Sequence, residues 1–222
     1  KWDFIVVHES GHEWFGNNIT AKDLADMWIH ESFTNYSEAL FIDYFYGKAA
    51  SQAYVHGNRQ GIRNDKPMQG PYHVNKEGSG DMYVKGGVMN NMLRTIIDND
   101  TTWRTLLRGL NSTFKHKTVD YNDIVNYICE QTAMDLKPFF AQYVQQRSIP
   151  TLEVKLLANK QIACRWIAEV ENFNMPIHLG KKGEKMSQYN VTSDFQTVPL
   201  AMEDLSSLEV DTYNYYIGLL KQ

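Results

Sequence analysis

Two histidines four residues apart, with a glutamate directly after the first, can hold a metal ion and move a proton beside it. His8-Glu9-Ser10-Gly11-His12 has that spacing, and Glu31 follows with eighteen residues between it and the second histidine. On a helix, positions four apart lie about 40° apart around the axis, so both imidazoles reach one ion. A carboxylate from a following helix completes a His-His-Glu donor set with one coordination position open, the pattern of catalytic rather than structural zinc. Glu9 then stands where it takes a proton from a metal-bound water. The chemistry expected of these residues is metal-assisted hydrolysis, with His8, His12 and Glu31 holding one zinc ion and Glu9 as the base.

Two helices must position that set. Trp2 to Phe15 reads as the first, since Phe4, Ile5, Val7, Trp14 and Phe15 are apolar, no proline intervenes and Gly16-Asn17 offers a stop. The second is expected from about Asp26, a candidate N-cap, to Tyr46, with Gly47 ending it. Glu31 falls among Trp28, Ile29 and Phe33, where a lone carboxylate is costly to bury without a partner or a metal. Asn35 and Glu38, one and two turns further on, share its face and are candidates to orient a ligand histidine through its second ring nitrogen. His30 points about 100° away from Glu31, which argues against a fourth-ligand role.

Further helices are expected over Lys48–Asn64, Met82–Ile97, Thr102–Lys115, from an Asp120/Asp123 cap onward, and around Lys137–Gln146. Between them Pro67–Gly80 is rich in proline and glycine and reads as a loop. The pattern changes near Arg147–Pro150. Beyond it stand short β-like runs at Thr151–Leu157, Ile162–Val170, Pro176–Leu179, Gln196–Ala201 and Tyr213–Leu219, with Asn172–Asn174 and Lys181-Lys182-Gly183 as hairpin tips. This predicts an α+β chain: an α-helical catalytic part over 1–147 and a small antiparallel β-sandwich over 148–222.

The stretch from His8 to Asn17, together with Met27-Trp-Ile-His-Glu-Ser-Phe-Thr-Asn-Tyr-Ser-Glu38, resembles the aminopeptidase N and leukotriene hydrolase family of gluzincin zinc metallopeptidases. Met82-Tyr83-Val84-Lys85-Gly86-Gly87 is similar to that family's Tyr-x-Lys-Gly segment, whose tyrosine acts in catalysis. By that resemblance Tyr83 would donate a hydrogen bond to the developing oxyanion; spacing alone leaves it one tyrosine of thirteen. The resemblance also implies a thermolysin-like catalytic domain and a peptide as substrate. His30 and Ser32 depart from the usual Asn and Gly on either side of the third ligand, which bears on cleft shape and not on the ligands. The family's Gly-x-Met-Glu-Asn strand, which holds the substrate's amino group, has no counterpart in these 222 residues. The expectation is therefore a piece of a longer peptidase that turns over weakly alone, with an N-terminal domain of the same protein as its partner.

Composition excludes several classes. A net charge of −4 argues against a nucleic-acid binder. No apolar run approaches the roughly 18 residues of a membrane-spanning helix, and the compartment is not readable. Cys129 and Cys164 read as separate thiols rather than a bridge. His56, His73, His116 and His178 lack partners at ligand spacing, though His73 lies in the loop before Tyr83. Three functions stay open: a zinc aminopeptidase, a gluzincin of endopeptidase or other hydrolase specificity, and a zinc-bearing chain without turnover.

Overall fold

The computed structural model describes residues 2–222. Its first helix, α1, spans Phe4–Gly11, shorter at both ends than the pattern implies. Asp3 caps it by accepting the Ile5 amide, so Trp2 lies outside. At the other end His12 is already the C-cap, and Trp14 and Phe15 turn back on the Gly11 carbonyl. Gly16 then takes φ 142°, closing the turn that leads into strand β1, Ile19–Ala21.

Helix α2, Met27–Tyr46, starts and stops where expected, with Gly47 at φ 89° ending it. Asp26 precedes it but caps no helical amide. Its buried carboxylate instead accepts from Trp28 Nε1, Gln69 Nε2, the Tyr72 hydroxyl and the Tyr121 amide, tying two distant segments to the start of α2. Helix α3 runs only over Lys48–Asn58, followed by a tight turn at Arg59–Gly61, as the two glycines foreshadow. The loop after it is fixed by Asp81, whose carboxylate accepts the Arg63 and Asn64 amides, and by Ser79 bonding Asp65.

Helix α4, Asp81–Ile97, crosses α2 at close range. A β-carbon on Gly86 would lie 2.0 Å from Ser32 Oγ, and one on Gly87 2.1 Å from Asn35 Oδ1. Only glycine permits this approach, and Ser32 Oγ uses it to donate to the Met82 carbonyl at 3.0 Å. Helix α5, Asp100–Thr113, begins under an Asn99 cap, two residues before its apolar pattern does. Strand β2, Lys117–Val119, pairs in parallel with β1. Asp120 and Asp123 form the capping box of α6, Tyr121–Thr132. The single helix expected around Lys137–Gln146 is one α-turn, α7 (Lys137–Phe140), that widens into a π-helix at Ala141–Gln145.

The strands that follow form two sheets. β3 (Thr151–Leu156), β4 (Gln161–Ile167), β7 (Gln196–Ala201) and β9 (Gly218–Lys221) stand in the order β7-β4-β3-β9. β5 (Met175–Lys181), β6 (Ser187–Val191) and β8 (Leu208–Val210) stand as β6-β5-β8. The class is α+β, as expected, but the sheets are not wholly antiparallel: β9 runs parallel to β3. Lys181-Lys182-Gly183 does turn the β5–β6 hairpin, whereas Asn172–Asn174 is no hairpin tip. It carries the chain from one sheet to the other, and Phe173 between the two asparagines is buried edge-on to Trp166. Tyr213–Leu219 is mostly turn, because Asp211 accepts the Asn214 amide and folds the chain before β9 begins.

Helices and sheets share one apolar core, from Trp28, Phe33 and Met89 through Tyr143 to Trp166 and Ile177. Polar clamps cross the junction. Arg59 Nη1 donates to the Thr212 and Tyr215 carbonyls, and the Tyr143 hydroxyl to the Tyr216 carbonyl. Lys85, only 1% exposed, points its amine at the Gln146 and Arg147 carbonyls. It is a packed residue and not a solvated one. Burial pulls its pKa down to about 8. Both cysteines are free, Cys164 buried and Cys129 partly so.

Candidate metal centre

α1 and α2 bring three donors together. His8, His12 and Glu31 each present one ligand atom, all within 4.8 Å of one another. His8 Nε2 lies 3.3 Å and His12 Nε2 3.5 Å from Glu31 Oε2. Gly11 lets α1 settle against α2, where a β-carbon would already press on Thr34 and Ser37.

Each imidazole is held by its far nitrogen. His8 Nδ1 bonds Glu38 Oε1 at 2.8 Å, and His12 Nδ1 bonds the Phe15 carbonyl at 3.0 Å. A carboxylate and a carbonyl only accept, so both Nδ1 atoms donate, which leaves the two Nε2 atoms, both beside Glu31, as the ones that could turn a lone pair to a metal ion. That donor set, two neutral imidazole nitrogens and one carboxylate oxygen, suits zinc. With protein atoms alone, the hydrogen bond to Glu31 first, and that to Glu38 second, push the His8 pKa up to about 9. Two carboxylates, Glu31 and Glu38, thus face this one ring from opposite sides.

Of the two residues expected to support the ligands, Glu38 touches His8 directly and Asn35 does not. Asn35 Nδ2 donates to Glu38 Oε1 at 3.2 Å. The other carboxylate oxygen, Oε2, takes the hydroxyl of Tyr54 from α3. No sequence signal singled out Tyr54, because only the α2–α3 packing carries it to Glu38.

Tyr83, on the first turn of α4, stacks on the His8 ring with centroids 5.9 Å apart and is 38% exposed. Burial first, and the Glu31 charge second, push its pKa up to about 12, so it remains a donor at neutral pH. A cavity of about 580 Å³ opens beside it, lined by Phe4, Ile5, His8, Glu9, Tyr54 and Tyr83 among others. Glu9 sits exposed on that wall. A larger cavity of about 700 Å³ lies elsewhere, at the helix–sheet junction. Its Arg94 is occupied by Asp43 and Asp100, so it presents little chemistry.

The remaining histidines stand apart from the cluster. His30 Nε2 accepts the Ala21 amide, fixing β1 to α2. The His73 amide donates to Asp23 with the residue at φ 65°, and His178 bonds the Tyr215 hydroxyl. Glu13 accepts from Asn17 on the surface.

A profile of the peptidase family M1 domain matches residues 2–143. Endoplasmic reticulum aminopeptidase 1 of Mus musculus is 28% identical over 138 residues, 56% of this chain and 15% of that protein. Leucyl aminopeptidase of Saccharolobus solfataricus is 25% identical over 93% of this chain and 28% of its own length. Among solved structures, the aminopeptidase A of Legionella pneumophila in complex with aspartic acid superposes with a TM-score of 0.75 at 15% identity, over 99% of this chain and 27% of that one. The chain thus spans well under a third of the length of the proteins it matches.

Proposed function

Because the chain belongs to the peptidase M1 family, we propose that it forms the metal-bearing part of a zinc aminopeptidase removing N-terminal residues from peptides. The observation that carries this reading is the convergence of His8, His12 and Glu31 within 4.8 Å, both imidazoles anchored by their Nδ1 atoms. Bound there, zinc would supply Lewis-acid polarisation of the scissile carbonyl and acidification of a water. Glu9, exposed on the cavity wall, takes the proton from the attacking water and passes it to the leaving amine. Tyr83, protonated at neutral pH, donates to the oxygen on which charge develops; such a donor is typically worth about 10²–10³ in rate. Glu38 and Phe15 fix the two rings so that neither swings away during turnover.

In this reading residues 1–147 are the catalytic part and 148–222 a β domain that braces it. The matched proteins are several times longer, and much of an enzyme's advantage comes from positioning, with effective molarities up to about 10⁵–10⁸ M. The chain alone is therefore expected to bind zinc yet turn over slowly.

The test is Glu9→Gln, assayed for zinc content and for cleavage of an aminoacyl reporter. Full zinc occupancy with turnover lowered at least about a hundredfold is expected, since the amide cannot accept the proton. Undiminished cleavage would overturn the assignment of the base. A matched N-acetylated peptide separates the aminopeptidase from an endopeptidase: the blocked peptide is refused by the former and cut by the latter.

A further inference from the structure

We infer that Tyr54 is a positioning residue of the metal centre, acting on His8 through Glu38. The inference rests on the zinc-site reading above and extends it to a third helix. Glu38 is a carboxylate only 2% exposed, and a group so buried keeps its charge only where donors surround it. Three do, from three elements. His8 on α1 and Asn35 on α2 share Oε1, at 2.8 and 3.2 Å. Tyr54 on α3 alone occupies Oε2.

The division matters for geometry. With donors on one oxygen only, the carboxylate turns about its terminal torsion, a broad and soft coordinate. Its contact with His8 Nδ1 turns with it. The Tyr54 hydroxyl holds the second oxygen and so fixes the plane of the group that aims the His8 ring. Tyr54 is itself held. Trp2 packs edge-on to its ring with centroids 5.6 Å apart, and Phe41 stacks on Trp2 at 5.5 Å. Below, Ser51 on the same helix donates to the Ala39 carbonyl at 2.8 Å, seating α3 against α2. The phenol never meets His8, His12 or Glu31 through a hydrogen bond of its own, so its influence on the metal passes through Glu38.

The measurement is zinc affinity, by competition with a chromogenic chelator, of the wild-type chain, Tyr54→Phe, Glu38→Gln and the double variant. The thermal midpoint of each metal-free protein is recorded alongside. Direct partners of ligands typically contribute about 10–100-fold in metal affinity. Glu38→Gln should fall in that range, and Tyr54→Phe, one bond further out, should lose about three- to tenfold; its metal-free midpoint should drop as well, since Oε2 loses its donor, so the Glu38→Gln background is what separates positioning from stability. In the Glu38→Gln background the tyrosine substitution should cost nothing more. Tyr54→Met, which lacks the hydroxyl but packs differently, should show the same loss as Tyr54→Phe. Wild-type affinity in Tyr54→Phe, or an equal loss with and without Glu38, overturns the inference. A wild-type chain that holds no stoichiometric zinc overturns the metal-centre reading itself, and this inference with it.

Discussion

His8 faces two carboxylates, Glu31 through Nε2 and Glu38 through Nδ1. Without metal, those contacts favour the imidazolium, and its pKa rises from 6.5 to about 9. A group whose folded pKa lies above its unfolded value stabilises the fold fully below the unfolded pKa. That contribution fades as pH rises through the folded pKa. The metal-free chain should therefore lose at most about 3 kcal/mol of stability from this group between pH 6.5 and 9. Chemical denaturation of metal-free protein across that range checks it, and Glu38→Gln should flatten the slope. That His8, His12 and Glu31 would converge was legible in the residues, because HExxH spacing encodes a shared helix face. Tyr54 was not, since its partner lies sixteen positions away on another helix and no spacing rule links them.

At the scale of elements, the crossing of α2 and α4 sets the distance between the ligand helix and Tyr83. Ser32 and Gly86 meet there with no room for a methyl group. Gly86→Ala should destabilise the chain by about 2 kcal/mol or more through overpacking, read as a lowered thermal midpoint. It should also weaken zinc binding, since the Ser32 side of the clash lies beside Glu31. Gly57→Ala, where a β-carbon meets nothing within 4 Å, is the matching control and should leave both properties intact. The patterns of α2 and α4 made those helices readable to within a residue or two, and the Asp120/Asp123 pair marked the start of α6. Where the reading slipped, a polar contact had overruled the pattern. His12 is a cap because Trp14 and Phe15 fold back on Gly11. Tyr213–Leu219 looked like a strand until Asp211 bent it into a turn. β6 and β8 are short and their exposed positions polar, so they gave little signal at all.

Over the whole molecule, the helical part and the sheets are joined by more than apolar contact. Arg59 and Tyr143 each bond backbone beyond Pro150, and Gln142 accepts the Glu169 and Val170 amides while donating to the Ser148 carbonyl. Far- and near-ultraviolet circular dichroism should accordingly report one coincident unfolding transition. A chain cut after Arg147 should lose that cooperativity, because it would bare Tyr143 and leave Arg59 without its Thr212 and Tyr215 partners. Two separate transitions in the intact chain would show the halves to be independent. Among the described residues no helix is long and apolar enough to cross a membrane.

The parallel pairing of β9 with β3 also orders events in time. A ribosome delivers Thr151 long before Gly218, so β3 emerges with one edge unpaired and waits for residues 218–221 to fill it. Parallel partners so far apart in sequence meet late, after the entropy of closing the intervening loop has been met. The turn just before β9 carries the Thr212, Tyr215 and Tyr216 carbonyls that secure Arg59 and Tyr143. Arg59 directly follows the helix that bears Tyr54. The support behind His8 thus becomes rigid only once residues 212–221 have been made, although the histidine itself precedes that stretch by most of the helical part.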